Sequence, residues 1–109
     1  MPFRILLRAD LTEARKARDA EMVSLIRTLI AAIDNAEAVD PVEAGAATEV
    51  PRRCVSDDEI MEIILDEGAE LRQASEDFER RGHKTEAQRL RSLSEVADRY
   101  AQTFDESRT

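Results

Sequence analysis

Histidine, cysteine, tryptophan and glycine are scarce in this sequence, and each shortage removes a class of function. Cys54 is the single cysteine of 109 residues, so no internal disulfide forms and no paired-thiol zinc site exists. That usage fits a reducing compartment, and the chain reads as cytoplasmic. With neither a histidine nor a second cysteine nearby to lower its pKa, Cys54 reads as an inert loop thiol. His83 is the sole histidine. It leaves no Glu-x-x-His pair for a carboxylate-bridged metal centre, and it falls at a chain corner rather than among catalytic partners. Three glycines, none in a phosphate-loop pattern, exclude a nucleotide cradle of that kind. Tryptophan is absent, and three phenylalanines and one tyrosine offer little surface for stacking unpaired bases. No apolar run nears the ~20 residues that cross a membrane. Residues 1–8 are too short and too charged for a secretory signal. No catalytic set, metal site or cofactor is expected.

What is present is charge and helical periodicity. Charged residues make up 37% and apolar residues 42% of the chain, the balance of a soluble helical protein rather than a disordered one. The net charge is −8. Residues 57–81 hold ten acidic and three basic side chains, so nearly all the excess lies on one segment. Such a face repels phosphate and keeps the chain in solution.

That segment is also the best-marked helix. Ser56 with Glu59 three residues later forms a capping box. Asp57, Asp58 and Glu59 sit where the helix dipole is positive. Ile60, Ile63, Ile64, Leu71 and Phe78 recur at three- and four-residue steps, Arg80 and Arg81 fill the last turn, and Gly82 suits a left-handed stop. Glu67 lies beside the stripe and reads as an edge residue rather than a general acid. A first helix over 3–18 buries Phe3, Leu6, Leu7, Leu11 and Ala14 and closes with Arg15, Lys16 and Arg18. A second over 20–39 is capped by Asp19. Its stripe is Met22, Leu25, Ile26, Leu29, Ile30 and Ile33, the most apolar in the chain, so it is expected at the centre. Arg27 lies within that helix and is expected first to make a structural salt bridge, and otherwise to bind a partner. Residues 41–55 hold two prolines and Gly45 with no usable period and read as a mobile surface loop. A last helix over 85–104 carries Leu90, Leu93, Ala97, Tyr100 and Phe104, with residues 105–109 expected to fray. The fold class is therefore all-α: one four-helix domain over residues 1–109, without strands.

The order of these motifs resembles the GatB/YqeY family, the YqeY proteins and the C-terminal region of the B subunit of glutamine-dependent aminoacyl-tRNA amidotransferase. The likeness is carried by Ala14-Arg15-Lys16-Ala17-Arg18-Asp19, then Ser24-Leu25-Ile26-Arg27-Thr28-Leu29, then Ala32-Ile33-Asp34-Asn35-Ala36-Glu37. The helix start Ser56-Asp57-Asp58-Glu59-Ile60 follows, with Arg72, Glu76, Phe78 and the corner at Gly82. His83 stands where the family usually has arginine. Tyr100-Ala101-Gln102 replaces the family's Tyr-Leu-Pro, after which full members continue into a small three-helix tail.

The resemblance implies a four-helix cradle without that tail, the part implied to touch tRNA. It implies a non-catalytic accessory or binding module related to the amidotransferase, a carbon–nitrogen ligase with glutamine as amido donor. The implied partners are an amidotransferase subunit or an aminoacyl-tRNA synthetase, with tRNA contact weak or absent. The residues assigned to partner contact are Arg15, Lys16, Arg18, Arg27 and Tyr100. The alternative is a helical protein–protein or homodimerisation module, using an exposed apolar patch near Tyr100 and Phe104.

Overall fold

A computed structural model describes residues 3–38 and 55–107. Among these the chain forms four helices and no strand: α1 (Phe3–Lys16), α2 (Ala20–Glu37), α3 (Asp57–Arg80) and α4 (Lys84–Ser107). The expected loop over 41–55, and Cys54 within it, lies outside the described residues except for Val55.

The helix ends show why the elements start and stop where they do. The Asp19 carboxylate accepts from the Met22 amide at 3.2 Å and caps α2. Ser56 Oγ accepts from the Glu59 amide at 3.1 Å, and the Glu59 carboxylate reaches back to the Ser56 amide, completing the capping box of α3. At the far end of α3, Gly82 has φ 82°. The His83 amide donates to the Phe78 carbonyl and the Gly82 amide to the Glu79 carbonyl, the paired bonds of a left-handed helix stop. His83 is exposed there, its ring edge-on to Phe78.

Two boundaries differ from expectation. α1 ends at Lys16 rather than residue 18, because Arg18 itself takes the left-handed position at φ 56°. α4 runs through Ser107, so the fraying expected from residue 105 is corrected up to that point. Phe104 is 5% exposed and anchors the final turns, and the Gln102 amide reaches the Glu106 carboxylate.

α3 and α4 pack along their lengths as one antiparallel hairpin, α1 and α2 form a second pair, and α2 touches both helices of the hairpin. Within the hairpin Gly68 faces Ala97, and a methyl on Gly68 would meet the Asp98 carboxylate at 2.7 Å. Nearby, the buried Ser75 hydroxyl donates to the Ala87 carbonyl at 2.7 Å and joins the hairpin by a polar bond. The core gathers Leu7 of α1, Ile26 and Leu29 of α2, and Ile64 of α3, all 0% exposed, with α4 adding Tyr100, Ala101 and Phe104. Each fully buried aliphatic side chain contributes about 1.5–3 kcal/mol of transfer free energy. α2 is thus the central helix its apolar stripe indicated. Among the described residues no helix is long and apolar enough to cross a membrane.

Candidate partner-binding face

The corner between α1 and α2 is built by the same left-handed stop as the corner after α3, but without glycine. The Asp19 amide donates to the Ala14 carbonyl at 2.9 Å and the Arg18 amide to the Arg15 carbonyl at 3.1 Å. Arg18 therefore carries a Cβ in a conformation that disfavours one, at a cost of roughly 1–2 kcal/mol. The turn sends α2 back beside α1. Arg15, one turn before the corner, Arg18 within it and Arg27, two turns along α2, come to wall one open depression of about 640 Å³. Its floor is small: Ala20, Val23 and Ser24, with Thr28 and Ala31 beyond. Thr28 donates its hydroxyl to the Ser24 carbonyl at 2.9 Å, so that group is satisfied within the helix.

The three guanidinium groups are exposed, and none makes an ion pair with another described residue. Exposed Arg8, Arg81 and Arg99 likewise make no ion pair with a described residue, whereas the other described arginines are tied. Arg4 meets Asp34 at 2.8 Å and also Glu37, Arg72 meets Asp98 at 2.7 Å, Arg89 meets Glu21 at 3.3 Å, and Arg91 meets Glu79 at 2.8 Å. Asp19 beside Arg18 tempers the positive field but spends one oxygen on the cap of α2. Arginine's planar fork suits two-point binding of a carboxylate or phosphate, and an unpaired exposed guanidinium keeps that capacity.

Not every expected contact residue joins this face. Arg15, Arg18 and Arg27 do. Lys16 points elsewhere, exposed and loosely paired with Glu13 at 3.6 Å. Arg27 is corrected in one respect: no salt bridge to a described residue holds it, because position 27 faces away from the Leu25, Ile26 and Leu29 side of α2. Tyr100 is also corrected. It is only 9% exposed, its ring edge-on to Phe3 at 6.0 Å, and its hydroxyl donates to the Asp10 carboxylate at 2.6 Å. Burial, then the Asp10 hydrogen bond and charge, push this phenol well above the ordinary tyrosine range. Phe104 packs on Phe3 as well, at 5.1 Å. The apolar patch expected near Tyr100 and Phe104 is therefore interior, covered by α1.

A second depression encloses about 330 Å³. It lies on the other side of the Ala20–Ser24–Thr28 ridge, where Leu25, Leu71, Leu90 and Leu93 from three helices form an apolar floor. Glu67 faces it, and burial followed by the nearby Glu70 charge raises its carboxyl above the usual glutamate value. The outward spacing of Ala20, Ser24, Thr28 and Ala31 on α2 was the available sequence signal, because four small residues on one helix face leave room beside it. Among the described residues no group of three or more histidine, cysteine, aspartate or glutamate side chains is placed to hold a metal ion.

Comparison with family models, with curated proteins and with solved structures finds no match to this chain.

Proposed function

We propose that this chain is a non-catalytic accessory module that holds an acidic protein partner at the Arg15–Arg18–Arg27 face. The resemblance to GatB/YqeY proteins suggests where that partner belongs: a subunit of a glutamine-dependent aminoacyl-tRNA amidotransferase, or an aminoacyl-tRNA synthetase. The observation that carries the reading is the gathering around one depression of three guanidinium groups that make no ion pair with another described residue, on a chain whose net charge is −8. Arginine is over-represented where binding energy concentrates, and here its placement at a left-handed backbone position costs stability.

A protein partner is favoured over tRNA for two reasons. The excess acidic charge on α3 opposes a long phosphate backbone. Phe3, Tyr100 and Phe104 are buried and Phe78 is half-buried, so no phenylalanine or tyrosine ring stands exposed as a platform for bases, and His83 is a lone exposed imidazole.

The test is a binding titration of the immobilised chain with an amidotransferase B-subunit complex, with synthetases and with tRNA, at two salt concentrations. Saturable binding of one protein, lost in Arg15→Glu/Arg18→Glu/Arg27→Glu, is expected. Sub-micromolar tRNA binding that survives the higher salt would overturn the choice of partner.

A further inference from the structure

The two depressions beside α2 have complementary characters and one shared ridge. The first is walled by Arg15, Arg18 and Arg27. The second has a leucine floor contributed by α2, α3 and α4. Ala20, Ser24 and Thr28 line both, so the two are halves of one surface. From this we infer that the surface seats an amphipathic helix of the acidic partner, its apolar edge in the Leu25–Leu71–Leu90–Leu93 groove and its acidic edge against Arg15, Arg18 and Arg27. The inference rests on the reading of the arginine face as a binding surface and adds the form of what binds.

Charge complementarity selects this occupant and its orientation. On the arginine side the cations have no partner among the described residues, so an acidic edge finds unspent charge. On the leucine side the one arginine among the described lining residues, Arg89, is already held by Glu21 at 3.3 Å and Glu86 at 3.1 Å. Glu67 also faces that groove, and a second carboxylate brought beside it would meet like charge at reduced hydration. A helix laid with its acidic edge over the leucines is therefore disfavoured, while the opposite orientation satisfies both sides. An extended acidic strand would reach the arginines but leave the leucine groove uncovered. A helix spans both, because apolar residues at i, i+3, i+4 and i+7 share one edge while the acidic ones occupy the next. The small side chains of the ridge let two helix axes approach to roughly 8–10 Å.

The probe is a displayed library of helical peptides selected against the full chain, with polyglutamate as an anion that lacks an apolar edge. Enriched peptides are expected to carry leucine, methionine or phenylalanine on one edge and aspartate or glutamate on the adjacent edge. Ser24→Arg is the deciding variant. It puts a good helix former at an exposed position and adds positive charge, but it fills the ridge. The selected peptide should lose about tenfold or more in affinity on Ser24→Arg, a change of the size that a blocked interface centre produces. Polyglutamate should bind that variant at least as well as it binds the native chain. Arg15→Glu/Arg27→Glu should weaken both ligands. Equal binding of the selected peptide to native chain and Ser24→Arg would overturn the inference, as would enrichment of peptides without an acidic edge. Arginine-dependent polyglutamate binding with no helical peptide enriched would overturn the seated helix and leave the arginine face standing. Loss of neither ligand in Arg15→Glu/Arg27→Glu would remove both. Concentration-dependent self-association that the selected peptide competes away would make a second copy of the chain the occupant and overturn the partner helix.

Discussion

Arg18 offers the sharpest test of the corner that places the arginine face. It holds φ 56° with a full side chain. In that conformation the Cβ crowds the following carbonyl oxygen, at roughly 1–2 kcal/mol. Alanine at position 18 keeps the Cβ and the cost, whereas glycine removes both. Glycine also loosens the unfolded chain, which returns about 0.4–1 kcal/mol of the gain. Glycine at this position should therefore be more stable than alanine by about 0.5–1 kcal/mol. Arg18 is exposed and makes no ion pair with another described residue, so neither substitution breaks an internal contact. The ordinary helical order is the reverse: Ala9→Gly, at an exposed site inside α1, should cost about 1 kcal/mol. Urea unfolding followed by far-ultraviolet circular dichroism measures all three on one slope. The expected midpoints place Arg18→Gly above Arg18→Ala, and Ala9→Gly below the native chain. Arg18→Ala equal to or above Arg18→Gly would refute the left-handed corner, and with it the geometry that brings Arg15 and Arg27 together. Both Arg18 variants should weaken binding of the acidic partner alike, since both lose the guanidinium. A substitution that stabilises the fold while weakening binding is the mark of a residue kept for contact rather than for folding.

Other perturbations follow from the packing. Leu29→Asp places an unpaired charge at a site 0% exposed, costs several kcal/mol of a total near 5–15 kcal/mol, and should abolish cooperative melting. Ser56→Ala removes an acceptor from the α3 capping box and should lower stability by about 1 kcal/mol, read as a shifted denaturation midpoint. Gly68→Ala gains about 1 kcal/mol of helix propensity but displaces the Asp98 carboxylate from Arg72, an exposed pair worth at most about 1 kcal/mol. The net change should be small, and a loss of several kcal/mol would show that the helices cannot yield at that crossing. Glu67 has its folded pKa raised, so its stabilising share is full below 4.5 and is lost as pH climbs through the folded value. Glu67→Gln should then melt above the native chain at neutral pH, with the gap closing in acid.

Much of this architecture was legible in the linear sequence because its causes are local. Three- and four-residue spacing of apolar side chains marks a helix and its buried face without reference to the rest of the chain. Asp19, Ser56 with Glu59, and Gly82 act within a turn or two of their own positions, and all three are found at the helix ends they mark. The stop at Arg18 is not legible in the sequence, because a left-handed residue with a side chain leaves no compositional trace.

The remaining features depend on how the helices are arranged about one another. Arg27 sits in the most apolar helix, yet its exposure follows from which side of α2 meets α3 and α4. Tyr100 lies on the apolar stripe of the last helix and reads also as a partner contact, but it is interior, because Phe3, distant in sequence, closes over it and its hydroxyl donates a hydrogen bond to the Asp10 carboxylate. Neither depression has a motif, since one draws its wall from two helices and the other its floor from three. Periodicity gives each helix a face, but only the packing of α2 against α1 on one side and the α3–α4 hairpin on the other decides which faces stay open.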